Sequence, residues 1–251
     1  MSHLLTRVGI SVSLLGAISA LCAPGAAAQP ASGPRETVNQ QFTTTHPGTP
    51  TGLSFTGTFH AAGDPSGNPP YMRRVVFDPP RGMRYHTGVP ALCTAPDPAL
   101  QVLGPSACPA ASRLGTGTAE GIFYEPVAHD FILDHFKHRL FVLNGKRQQI
   151  LLVKSEGYTV VRGHIRDDGS LAFSTPSCFP APPTGCADDY ILQLATSTTI
   201  AKYTRVVNGQ LRTYARTPSR CPDRGYWRTR FHFSWSDGSR DTVVSRQPCS
   251  R

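Results

Sequence analysis

Apolar positions along this chain come in short runs broken at regular intervals by turn residues, and within the runs β-branched and aromatic residues alternate with polar ones. That period of two predicts half-buried strands. The runs place strands at residues 53–61, 71–78, 139–143, 150–154, 158–166, 171–174, 190–196, 200–207, 210–216, 226–235 and 242–246. Four dipeptides, Asn144-Gly145, Asp168-Gly169, Asn208-Gly209 and Asp237-Gly238, supply the positive φ of two-residue hairpin turns. Hairpin-joined strands are antiparallel, so the pattern predicts an all-β antiparallel sandwich and argues against a parallel α/β sheet. Residues 94–114 are proline-rich and read as a cysteine-tied excursion with one short helix over 97–103. Residues 29–50 are polar and without period, and read as a disordered spacer before a single domain over 51–251.

Composition agrees with the pattern. Glycine and proline number 23 each in 251 residues, while only 16% of residues are charged and 39% hydrophobic, which favours turns and short strands over long helices. The first residues add a compartment. Arg7, the apolar run from Val8 to Leu21 and the small residues ending Ala26-Ala27-Ala28 form a signal-peptide pattern with cleavage after Ala28. The run is too short for a bilayer core of roughly 20 residues, so no transmembrane segment is expected after cleavage. Leu21 before Cys22 departs from a lipoprotein signal. A secreted or cell-envelope location follows.

Removing residues 1–28 leaves six cysteines, Cys93, Cys108, Cys178, Cys186, Cys221 and Cys249. In an exported chain an even count reads as three disulfides, and six cysteines allow 15 connectivities. Spacing points to local pairs: Cys93 with Cys108, Cys178 with Cys186, and Cys221 with Cys249. Zinc thiolate chemistry has no C-x-x-C pair to use.

One further set of residues bears on family. Leu92-Cys93, Cys108-Pro109 followed by residues 112–118 (SRLGTGT), residues 141–145 (FVLNG), Cys221-Pro222 with Gly225-Tyr226-Trp227, Asp237-Gly238 and Pro248-Cys249 together resemble a group of exported proteins of high-GC bacteria. The resemblance spans most of residues 52–249. It implies a cysteine-stapled β domain and brings no activity or catalytic residues. His135 and His138, ahead of the Asn-Gly pair, depart from it.

Candidate chemistry is thin. His129, Asp130, Asp134, His135 and His138 are of types that ligate Zn²⁺ or Cu²⁺, and a helix over 128–138 would gather them, whereas a strand would send His135 and His138 to opposite faces. No cofactor is expected. For a secreted hydrolase, the alternative to a binding role, residues 104–108 (GPSAC) lack the last glycine of a nucleophile elbow, and the adjacent pairs Asp167-Asp168 and Asp188-Asp189 point apart on a strand. Gly115-Thr116-Gly117 lacks the remaining glycine of a nucleotide loop.

Charge is the distinctive feature. Residues 200–251 hold eleven Lys and Arg against three Asp, while residues 29–199 balance at thirteen of each sign. With Asn208-Gly209 as a two-residue turn, Arg205 faces Arg212 and Tyr203 faces Tyr214 on one side. In the next run Trp227, Phe231, Phe233 and Trp235 share a core phase, so Tyr226, Arg228, Arg230 and His232 project outward. If both sets share a sheet, Tyr203, Arg205, Arg212, Tyr214, Arg228 and Arg230 form an anion-binding face for an anionic envelope polymer or lipid headgroups. Nucleic acid fits the charge but not the compartment. The expected protein is an exported, non-catalytic binding or structural component.

Overall fold

The computed structural model describes residues 33–125, 131–155, 157–175 and 190–250. Among these residues fifteen strands form, in this order: β1 (Glu36–Phe42), β2 (Leu53–Phe59), β3 (Met72–Asp78), β4 (Arg84–Tyr85), β5 (Arg113–Glu125), β6 (Phe131–Gly145), β7 (Gln148–Lys154), β8 (Tyr158–Ile165), β9 (Leu171–Ser174), β10 (Tyr190–Ile200), β11 (Thr204–Val207), β12 (Gln210–Thr213), β13 (Ala215–Arg216), β14 (Tyr226–Trp235) and β15 (Arg240–Pro248). Among the described residues one α-helix, α1 (Asp97–Leu103), lies between β4 and β5, followed by two short 3-10 turns, Gly104–Ala107 and Ala110–Ser112. Eleven strands make one antiparallel sheet in the order β1-β2-β10-β5-β6-β7-β8-β9-β3-β14-β15, and two small sheets pair β11 with β12 and β13 with β4. The all-β antiparallel class expected from the sequence is therefore present.

The two edges of the large sheet lie side by side. Backbone N–H groups of β1 are met by side chains of β15: Gln40 N donates to Ser245 Oγ (2.9 Å) and Phe42 N to Gln247 Oε1 (2.5 Å), while Gln247 Nε2 donates to the Phe42 carbonyl (3.0 Å). An edge strand left open would present unpaired backbone groups to any other chain, and these side chains occupy them.

Alternation explains the core. In β14 the side chains of Trp227, Thr229, Phe231, Phe233 and Trp235 are buried, while Arg230 and His232 are exposed. Phe231 meets Phe77 (ring centroids 5.0 Å) and Phe55 (5.4 Å), and Phe59 lies edge-on to Phe233 (5.7 Å). Each such ring contributes about 2–3 kcal/mol by burial. A second cluster sets Leu100 of α1 against Cys93, Leu143, Ile150 and Leu152. The Cys93–Cys108 disulfide (Cα–Cα 5.0 Å) ties this excursion, and Cys221–Cys249 (5.6 Å) joins the segment before β14 to the end of β15. The third expected pair, Cys178 with Cys186, lies outside the described residues.

Several expectations are corrected. Glu36–Phe42, inside the expected spacer, is a full strand paired with β2 from Glu36↔Phe59 to Phe42↔Leu53. Its inward phase is Glu36, Val38, Gln40 and Phe42, too polar to read as a buried face from pattern alone. Residues 113–125, left without a strand, form β5. Its Gly115 and Gly117 sit where a Cβ would collide with the backbone carbonyls of Thr199 and Ser197 in β10, so these glycines permit close strand approach rather than a phosphate loop. Asn144-Gly145 is not a turn. Asn144 is fully buried, its Nδ2 donating to the carbonyls of Thr87 (2.8 Å) and Ala91 (3.0 Å), and the chain reverses two residues later at Lys146-Arg147, with Arg147 at φ 54°. Asp168-Gly169 and Asp237-Gly238 lie in three-residue loops, closed by Arg166 N to Ser170 O (2.8 Å) and Trp235 N to Ser239 O (3.1 Å). Asn208-Gly209 alone makes the expected two-residue turn, with φ of 50° and 74° and Val207 opposite Gln210.

Candidate functional site

The β11–β12 hairpin carries the facing arginines. Arg205 lies directly across from Arg212 and Val206 across from Leu211, so one face of this ribbon is cationic and the other aliphatic. All residues from Thr204 to Arg212 are exposed, with Val206 65% and Leu211 58% accessible. Like charges directly opposite on a strand pair are destabilising. Arg212 donates to Gln210 Oε1 (2.8 Å), and among the described residues neither arginine has an ion-pair partner.

The tyrosines do not share that exposed face. Tyr214 is 1% exposed, with its hydroxyl accepting from Gln149 Nε2 (2.9 Å), and Tyr203 packs half-buried against the same core cluster. Burial, reinforced by neighbouring Tyr85, pushes the Tyr214 hydroxyl well above its ordinary pKa. Past the Thr204↔Thr213 pair Tyr214 N still donates to the Tyr203 carbonyl (3.0 Å), and both rings pack into the core cluster, where their apolar area is removed from water. The tyrosines thus root the hairpin, and the arginines project from it.

Arg228 and Arg230 belong to the large sheet and not to the hairpin's sheet, so the condition for one joint face, that both sets share a sheet, is not met. Their outward phase is as the alternation predicted. Arg230 is paired with Asp78 (3.1 Å), which neutralises it. Arg228 faces Arg246 across β14–β15, and its buried Nε has no partner. Tyr226 lies under two guanidinium groups, those of Arg224 (5.2 Å) and Arg246 (5.8 Å). Arg246 and Arg224 were absent from the expected face. The outward phase of β15, read through the hairpin register, would have shown the first of them.

The other candidates separate. His135 and His138 lie on a strand, opposite Ile122 and Ala119, which overturns the helical reading for residues 131–138. His135 is exposed, and His138 stacks on Phe136 (4.9 Å). Asp134 is in β6, while His129 and Asp130 lie outside the described residues. Among the described residues no three His, Cys, Asp or Glu side chains gather as a metal site. Ser170, through its side chain and then its backbone N–H (2.8 Å), holds the Asp168 carboxyl below the usual range, and Asp167 pairs with Arg147. Asp188-Asp189 lies outside the described residues. Ser106 donates to the Leu103 carbonyl (2.6 Å).

Sequence reasoning missed one cluster altogether, at the meeting of β1 with the β14–β15 turn. Trp235 Nε1 donates to both Glu36 Oε1 (3.0 Å) and Asp241 Oδ2 (2.8 Å), and Arg35 reaches Asp237 (3.2 Å) and Ser239 (2.9 Å). Burial, together with hydrogen bonding and repulsion from Asp241, raises Glu36 to about pKa 7 against the weaker opposing pulls of Trp235 and Arg35. These groups hold the two sheet edges together.

Comparison of the chain with family models, curated proteins and solved structures finds no match. The fold and site therefore define the protein as a disulfide-stapled antiparallel β protein with a projecting cationic and aliphatic hairpin. The two disulfides are compatible with an extracytoplasmic location, and no helix among the described residues is long and apolar enough to cross a membrane.

Proposed function

We propose that this is an exported, non-catalytic protein that binds an anionic lipid surface through the β11–β12 hairpin. The observation that carries the reading is the division of that exposed ribbon, with Arg205 opposite Arg212 on one face and Val206 opposite Leu211 on the other. A soluble polyanion would use the arginines and leave the aliphatic pair in water. A lipid surface uses both, because guanidinium groups pair with phosphates while aliphatic side chains enter the headgroup boundary.

Flotation with vesicles of mixed phosphatidylcholine and phosphatidylglycerol tests it. The full mature chain binds these and not pure phosphatidylcholine, and binding weakens as salt shortens the Debye length below roughly 8 Å. Arg205→Gln with Arg212→Gln lowers binding roughly thirtyfold, at about 1 kcal/mol per basic residue near the surface. Val206→Ser with Leu211→Ser lowers it too. Equal capture by a soluble polyphosphate that ignores the serine variant would overturn the lipid reading in favour of a polymer, and no vesicle binding at low salt would overturn it outright.

A further inference from the structure

The large sheet borders a partly open cavity of about 160 Å³, walled by side chains from every one of its strands except β15, together with Tyr85. The wall is mainly hydrocarbon, including Phe55, Phe77, Leu140, Val142 and Ile191. Its size is comparable with the roughly 150 Å³ apolar cavity that admits a benzene ring. Polar side chains interrupt this lining, among them Ser54, Gln149, Gln193, Thr196 and Thr198, and two buried polar atoms of lining residues stand out. Gln40 Nε2, on a residue 6% exposed, and Thr159 Oγ1, on a residue 2% exposed, are buried and have no hydrogen-bond partner. Burying such groups unsatisfied costs stability that leucine and valine of the same shape would avoid, so their presence in this wall calls for a partner that enters the cavity.

The electrostatics narrow the partner. Among the described lining residues Glu120 is the one that is charged, half-exposed and paired with Lys137 at 3.1 Å, and none of them is a cation that would offset a carboxylate or phosphate. A ligand must therefore be uncharged. The amide Nε2 of Gln40 only donates, so it selects an acceptor oxygen, and the Thr159 hydroxyl can serve a second polar atom or the other lone pair.

We infer that the sheet interior is a binding site for a small, uncharged, largely hydrocarbon molecule bearing a carbonyl oxygen, anchored by Gln40 and Thr159. The site is independent of the surface hairpin. Its occupancy needs neither vesicles nor Arg205.

The test uses the oxidised full-length mature chain with two probes of matched size, 2-heptanone and n-heptane, followed by methyl NMR shifts of Leu140, Val142 and Ile191. The ketone perturbs these methyls and binds about tenfold more tightly than the alkane, the value of one hydrogen bond. Gln40→Leu removes that tenfold preference and leaves alkane binding unchanged or tighter, with an equal or higher melting temperature. Thr159→Val, which is isosteric, reduces the preference more weakly. Val142→Phe fills the space and abolishes binding of both probes while the fold is retained. Ketone and alkane binding equally to the parent would overturn the inference, as would failure of both to bind. A Gln40→Leu protein that is less stable while ketone affinity is unchanged would also overturn it, since ordered water alone would then satisfy the amide.

Discussion

The β14–β15 and β11–β12 hairpins both set two arginines opposite one another, Arg228 with Arg246 and Arg205 with Arg212, but differ in what lies behind the arginines. Behind the first pair, Trp227, Phe231, Phe233 and Trp235 are buried, and a disulfide joins the flanks. Behind the second lie Val206 and Leu211, open to solvent. A like-charge pair costs a few tenths of a kcal/mol in either place. The core contacts of β14 exceed that cost many times over, so Arg228 and Arg246 are tolerated by a strand that forms regardless. The second hairpin has no such reserve beyond its tyrosine roots. There the arginine pair is a cost without structural return, which is why the proposed surface is placed on it.

The largest effect separates the two cores. Phe231→Ala should destabilise the protein by about 3–5 kcal/mol, because it removes a fully buried ring, whereas Leu211→Ala should change stability by less than about 0.5 kcal/mol. Urea denaturation of the two variants checks this, and a comparable loss at Leu211 would erase the distinction between the hairpins.

Next comes the staple. Cys221→Ser with Cys249→Ser should cost about 2–4 kcal/mol and act on the β14–β15 side, leaving exchange of the β11–β12 amides unaltered. Hydrogen exchange of the paired strands distinguishes a local from a uniform loss.

A smaller, pH-dependent effect resides where β1 meets the first hairpin's turn. Folding raises Glu36 from 4.5 to about 7, so the folded state holds a proton that the unfolded chain releases between those values. The contribution is complete below about 4.5 and lost as pH rises through about 7. After allowance for screening it amounts to about 1–2 kcal/mol. His86 works the other way, since burial and then Arg216, Arg212 and Arg84 lower its pKa, and its contribution is lost as pH falls. The difference between parent and Glu36→Gln, measured from pH 5 to 8, isolates the carboxyl: the parent should lose stability relative to the variant as pH rises.

The smallest effect sharpens the comparison most. Arg205→Gln with Arg212→Gln should leave the free protein as stable or more stable by some tenths of a kcal/mol. A clear loss of stability in thermal melts would mean that the arginines support the fold.

Much of the architecture was legible because it rests on local pattern. The period of two in β14, the segment 171–174 and the helix at 97–103 all stand where the residues placed them. Residues 190–200, expected to break after 196, run on as one strand, since Ser197, Thr198 and Thr199 pair with both β2 and β5 and polar side chains suffice in a doubly paired strand. The β1 edge was not legible. Its inward Glu36 and Gln40 are tolerable only because Trp235, Asp241 and Ser245, some two hundred residues away, come to meet that strand.

By itself the sequence determined strand phase, the antiparallel class and the register that sets Arg205 against Arg212, and its cysteine spacing pointed to the Cys93–Cys108 and Cys221–Cys249 pairs without choosing among the fifteen connectivities. All of these follow from side-chain alternation, local spacing and turn chemistry within a few tens of residues. Only the tertiary structure decided that the two arginine pairs lie on different sheets, that Tyr214 faces inward, and that Gln40 and Thr159 border one cavity. Those outcomes depend on which strands become neighbours, and long-range pairing is governed by the total burial of the assembled sheet rather than by any segment's own pattern.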